Sequence, residues 1–123
     1  LKQAAQHGYD IVNSQNELTY LDYNYSSISL QKAYDFDPIP KDLDTKFHNR
    51  IIGTGCQMWS EWIPTIGEMH YQVFPRLAAY AEVSWTNPDS KNYGQFKEAL
   101  QPILKKWEAK GIYFAPIEDA EAK

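Results

Sequence analysis

Cysteine is nearly absent. The one thiol, Cys56, excludes an intrachain disulfide and every cysteine-based zinc motif in the 123 residues. Histidine is scarce as well. His7, His48 and His70 lie far apart with no His-x3-His spacing, so each reads as a surface or hydrogen-bonded ring and no metal site is expected. Positive charge is not in excess: 12 Lys and Arg against 16 Asp and Glu give a net charge of -4. That leaves no basic face for nucleic acid and disfavours an anionic membrane surface. Long apolar runs are missing, which excludes a membrane-spanning helix. The length itself is short. It suits one domain, whereas a complete (β/α)8 barrel needs about 250 residues. No cofactor motif is found.

Aromatic residues are abundant. Four Trp, 9 Tyr and 5 Phe make up 15% of the chain, enough for a dense core or for a sugar-facing surface. With 43% apolar and 23% charged residues, the chain reads as folded rather than disordered or fibrous. It starts at Leu1, without Met and without a basic-then-apolar leader, which reads as a cut, giving either a processed product or a piece made by expression.

The local signals predict an alternating α/β order. Leu1, Ala4 and Ala5 suit the last turn of a helix, with Gly8 placed for a left-handed cap. Tyr9–Ser14 follows as a short strand, its centre β-branched. Residues 15–50 are expected to be mostly irregular, with short helical turns at Ser29–Tyr34 and from Pro40. Arg50–Trp59 is the second predicted strand, its glycines marking a bend or close approach. After a loop over 60–67, a helix is expected over 68–85, with Val73, Leu77, Ala78, Ala81 and Trp85 on its apolar side and Pro75 as an early residue or kink. Asn87-Pro88-Asp89-Ser90 stops it. A last helix carries Tyr93, Phe96, Leu100, Ile103 or Leu104, and Trp107, is kinked at Pro102 and closes at Gly111. The tail from Glu118 is expected to fray.

Two clusters lie past the predicted strands: Tyr20-Leu21-Asp22-Tyr23 soon after the first and Trp59-Ser60-Glu61-Trp62 right after the second. The loops past strand C-termini are where α/β folds place their sites. An aromatic face suits the C–H patch of a pyranose, and ionised carboxylates accept hydrogen bonds from pairs of hydroxyls. The same residues suit a plainer role, with Tyr20 and Trp59 in the core and Asp22 and Glu61 as solvated loop charges.

At these residues the sequence resembles a known family. Val12-Asn13-Ser14, Tyr20-Leu21-Asp22-Tyr23, Ile51-Ile52-Gly53, Met58-Trp59-Ser60-Glu61 and the run Pro75–Trp85 are similar, in order and spacing, to the C-terminal part of family-20 glycoside hydrolases, the β-N-acetylhexosaminidases. The resemblance implies an α/β chain that is the C-terminal portion of a (β/α)8 barrel, carrying strands seven and eight with their loops and closing helices. It implies that Tyr20 donates to the acetamide oxygen of the substrate and that Asp22 grips hydroxyls of the non-reducing sugar. Trp59 would wall the acetamide pocket, and Glu61 would bind the 4- and 6-hydroxyls. Arg76 and Glu82 would make helix-to-barrel contacts. The implied reaction is retaining and substrate-assisted, acting on glycans that contain N-acetylglucosamine or N-acetylgalactosamine.

One departure is large. The family's catalytic Asp-Glu pair lies on an earlier strand, and this chain has no Asp-Glu dipeptide; Glu118-Asp119 is reversed and sits in the tail. The chain alone is therefore expected to bind without hydrolysing. A separated piece of a parallel barrel is also expected to self-associate. The alternative is a non-catalytic carbohydrate-binding module using the same four residues.

Overall fold

The computed structural model describes residues 1–121. Helix α1 (Lys2–Gln6) ends where Gly8 adopts a φ of 87°. The Gly8 and Tyr9 amides there donate back to the Ala5 and Ala4 carbonyls, 3.0 and 3.1 Å. Strand β1 (Ile11–Asn13) follows, shorter at both ends than the predicted Tyr9–Ser14. It pairs in parallel with β2 (Ile51–Thr54), Ile11 opposite Ile51 and Val12 opposite Gly53, with an irregularity between Ile11 and Val12.

The second predicted strand, Arg50–Trp59, also contracts to this core. Beyond Thr54 the pairing continues only as a bridge between Tyr20 and Gln57. Gly55 marks the change of course: a Cβ there would sit 2.7 Å from the Ser14 hydroxyl, which would have to turn aside to admit it.

The connection from β1 to β2 holds more helix than expected. It forms α2 (Asn16–Thr19), α3 (Leu30–Asp35) and a 3-10 turn over Thr45–Arg50. Helix α3 is the turn foreseen from Ser29, whose hydroxyl accepts from the Lys32 amide at 3.1 Å. Pro40 starts a single turn, closed by the Leu43 amide on the Pro40 carbonyl, and no helix.

After β2 the expected single helix over 68–85 is two: α4 (Ile66–Val73), capped by Thr65, and α5 (Arg76–Trp85). The break falls at Phe74-Pro75, whose peptide is cis. A proline has no N–H for the preceding turn and disfavours helix at the residue before it. The buried face of α5 also differs from the predicted one. Arg76, Ala79, Tyr80 and Val83 point inward, packing largely against α3, while Leu77, Ala81 and Trp85 are exposed, Trp85 at 91%.

Helix α6 (Tyr93–Ala109) matches its predicted stripe: Phe96, Leu100 and Leu104 are buried, and Ile103 is exposed. It runs through Pro102, which lies on the exposed side, and ends in a second glycine cap at Gly111, φ 71°. The tail does not fray where it is described. Helix α7 (Ile117–Ala120) buries Ala120, held by hydrogen bonds from Tyr71 to Asp119 and from Tyr93 to Glu121. Residues 122–123 of the expected tail lie outside the described residues.

The core runs between α3, α5 and α6 and is rich in rings: Tyr25, Tyr34, Phe36, Tyr80 and Phe96 are buried in it. Among the described residues no helix is long and apolar enough to cross a membrane.

Candidate functional site

The bridge at Gln57 builds the site. Its amide donates to the Thr19 carbonyl at 3.1 Å, and its carbonyl accepts from the Leu21 amide at 2.7 Å. Tyr20 is therefore fixed at the point where the two chain segments leave the sheet side by side. Thr19 is wholly buried beneath, its hydroxyl within 3.0 Å of the Gln15 carbonyl and 3.2 Å of Gln57 Oε1. Two residues on from each segment's pairing lie Asp22 and Trp59.

These segments enclose a cleft of about 430 Å³ lined by Asn16, Tyr20, Asp22, Tyr23, Trp59, Glu61 and Trp62. All four residues singled out in the sequence, Tyr20, Asp22, Trp59 and Glu61, are brought together in it. The rings of Tyr20 and Trp59 lie 6.3 Å apart, tilted by 44°, and Tyr20 stands 6.1 Å from Tyr23. Trp59 is half exposed and Trp62 is 84% exposed at the rim.

The polar atoms of the cleft are largely uncommitted. Among the described residues neither the Tyr20 hydroxyl nor the Glu61 carboxylate has a hydrogen-bond partner, and the buried Oδ1 of Asp22 has none either. A buried acceptor without a donor is costly, about 1–3 kcal/mol, so such an atom is a candidate for a ligand's hydroxyl. The neighbouring tyrosines are occupied. Tyr23 donates to Asn16 Oδ1 at 2.9 Å, and Tyr25 is buried away from the cleft, donating to the Tyr71 and Phe74 carbonyls at 2.8 and 3.0 Å. Burial raises the Tyr25 hydroxyl far above its ordinary pKa. Of these three tyrosines, Tyr20 alone offers a free hydroxyl inside the cleft.

The arrangement is two carboxylates and an aromatic wall around an open polar cleft, with one phenol free to donate. That chemistry suits a neutral polyhydroxylated ring better than an anion. Cys56 lies outside the cleft, half-buried, and burial pushes its thiol up, away from reactivity. Among the described residues no group of three or more His, Cys, Asp and Glu side chains converges as a metal ion requires. A larger concavity, about 580 Å³, runs between α5 and α6 and is mostly apolar, with Leu77, Ala81, Trp85 and Ile103 on its walls beside Glu82.

Sequence reasoning missed Asn16, Thr19 and Gln57. Asn16 completes the cleft wall, and the other two set its geometry. Isolated polar residues carry no periodic signal. Arg76, expected to make helix-to-barrel contacts, is fully buried and donates to carbonyls of the loop after Tyr20.

The family model described as glycosyl hydrolase family 20, catalytic domain, matches residues 1–88. A β-hexosaminidase of Porphyromonas gingivalis is 31% identical over 73% of this chain and 12% of its own length. A β-N-acetylhexosaminidase of Cellulomonas fimi is 29% identical over 89% of this chain and 24% of its own. The chain thus spans between about an eighth and a quarter of these relatives. In structure it is similar to the exo-β-N-acetylglucosaminidase of Vibrio harveyi in complex with N-acetylglucosamine, with a TM-score of 0.82 and 28% identity over 94% of this chain and 20% of that one. The N-acetyl-β-hexosaminidase of Streptomyces plicatus gives 0.79 and 27% over 92% and 25%.

Proposed function

The chain belongs to glycosyl hydrolase family 20, and from this we propose that it is the C-terminal part of a β-N-acetylhexosaminidase catalytic barrel. Residues 1–123 form one domain segment, with β1 and β2 as its seventh and eighth strands. The parallel register supports this, as do the surfaces left bare. Val12 and Ile52 are 56% and 64% exposed, whereas parallel sheets ordinarily have both faces covered.

The observation that carries the functional reading is the convergence of Tyr20, Asp22, Trp59 and Glu61 on one cleft. In the complete protein this cleft is one wall of the site for a terminal N-acetylhexosamine. Trp59 packs on the acetamide and the sugar. Glu61 accepts from the 4- and 6-hydroxyls, and Asp22 from further hydroxyls of the same ring. Tyr20 donates a hydrogen bond from its free hydroxyl to the acetamide oxygen.

The reaction is retaining and substrate-assisted. The acetamide oxygen attacks the anomeric carbon as the glycosidic C–O bond breaks, and a general acid protonates the departing oxygen. Water then opens the oxazoline from the opposite side, restoring the original configuration. Tyr20 and Trp59 hold the acetamide in its attacking pose, a contribution of orientation. The general acid is outside this chain, since no Asp-Glu pair is present. The chain alone binds the sugar and does not turn it over.

The test compares two substrates in the full-length protein: an aryl N-acetyl-β-glucosaminide and the matching aryl β-glucoside, which lacks the acetamide. Hydrolysis of the first and not the second supports the reading, and equal hydrolysis of both contradicts it. Turnover by residues 1–123 alone overturns the division of labour. Binding without hydrolysis in the full-length protein favours a carbohydrate-binding module instead.

A further inference from the structure

Arg76 heads the large side chains that the fold buries completely, and no acidic group stands within salt-bridge distance of it among the described residues. A buried charge needs compensation. This one takes it from carbonyl dipoles and an aromatic face. Nε and Nη2 donate to the Gln72 carbonyl one turn back, at 2.9 and 2.6 Å, and Nη2 also to Gln72 Oε1 at 2.9 Å. The other donors cross to the loop after Tyr20. Nη2 reaches the Leu21 carbonyl at 2.6 Å, and Nη1 reaches those of Tyr23 at 2.8 Å and Ile28 at 3.2 Å. The guanidinium lies over the Tyr25 ring, 4.3 Å from its centroid.

Leu21 and Tyr23 are the residues on either side of Asp22. Both of their carbonyls are held by one planar group, so the Asp22 backbone is fixed from both sides while its own Oδ1 stays unpartnered. A lysine could not do this. Its three donors leave one nitrogen, whereas the guanidinium presents a rigid fork.

We propose that Arg76 is a positioning residue for the sugar-binding cleft, clamping the peptides that flank Asp22 and so setting the direction in which its carboxylate meets the sugar hydroxyls. The inference rests on the hexosaminidase reading of that cleft. The Asp22 charge in turn favours the buried cation, alongside Tyr25 and Tyr80, against the desolvation that disfavours it.

The test is a double-mutant cycle in the full-length protein, with Arg76→Lys and Asp22→Ala made singly and together and kcat/KM measured on an aryl N-acetyl-β-glucosaminide. Arg76→Lys alone is expected to lower kcat/KM about tenfold through misdirection of Asp22. In the Asp22→Ala background the same change is expected to cost less than about twofold, because the group it directs is gone. Fully additive losses, or no loss from Arg76→Lys, overturn the proposal, since a merely structural arginine would weaken both backgrounds alike. Should Arg76→Lys fail to fold, Gln72→Leu removes one acceptor of the clamp and keeps the guanidinium. Its loss, about threefold, must likewise vanish without Asp22, and additivity there overturns the proposal. A wild-type protein that hydrolyses no β-N-acetylhexosaminide would sink the cleft reading itself, and this inference with it, before any variant is compared.

Discussion

Tyr20 and Gln57 face each other in a parallel bridge, and that one pairing brings an aromatic-acidic cluster from each of two chain segments to a common cleft. The strands proper contribute only three and four residues. The site is thus set by the extension of the sheet beyond its regular part, and by what lies under it.

Thr19 lies under it. Its hydroxyl is wholly buried between the Gln15 carbonyl and Gln57 Oε1. Thr19→Val keeps the shape and takes the donor from Gln57 Oε1, while the Gln15 carbonyl keeps the amides of residues 18 and 19, which is expected to destabilise the chain by about 1 kcal/mol. Urea denaturation measures it. A variant as stable as the wild type would show that the hydroxyl does not tie the two segments together.

The apolar groove between α5 and α6 makes a second prediction. Leu77 and Trp85 are exposed on it, and contiguous apolar surface of this kind seeks cover. Residues 1–123 are expected to self-associate, and Trp85→Lys with Leu77→Lys to shift sedimentation towards monomer. The double variant should stay folded, because neither side chain is buried in the core. Unchanged association would place the sticky surface elsewhere, at the bare sheet.

The C-terminal anchor titrates. Hydrogen bonds from Tyr93 and Lys97 hold the Glu121 carboxyl below the usual carboxylate range. A depressed folded pKa means stability that is present above the unfolded pKa and lost as pH falls through the folded one. Glu121→Gln should therefore cost stability at pH 7, under about 1 kcal/mol because the pair is partly exposed. The gap between the two proteins should narrow as pH falls below the usual carboxylate range and close once the carboxyl is protonated in the fold. Thermal denaturation of both across an acid pH series is the measurement, and a gap that widens in acid would contradict the assignment.

Much of this architecture was legible because its signals are local. Gly8, Ser29 and Gly111 each satisfy helix-end groups with their own backbone or side chain, so their meaning does not depend on the rest of the fold. The two clusters that line the cleft were legible because both lie past strands and because the runs around them resemble a known family. The inward face of α5 was not. Alanines occupy both sides of that helix, and a charged residue, Arg76, reads as surface until its carbonyl partners, 48 to 55 residues away, are known. Thr19 and Gln57 were missed because a polar residue in a loop has no periodicity to betray it. The tail was misjudged because its anchors, Tyr71 and Tyr93, belong to helices α4 and α6.

The free hydroxyl of Tyr20 is proposed to donate a hydrogen bond to the acetamide oxygen as that oxygen becomes the nucleophile. Tyr20→Phe in the full-length protein tests it most directly, by kcat and KM on an aryl N-acetyl-β-glucosaminide. Loss of the hydrogen bond that holds the acetamide in its attacking pose is expected to lower kcat by up to about 10²-fold, with the variant's thermal stability unchanged since the hydroxyl has no partner within the described fold. A kcat equal to that of the wild type would contradict the account.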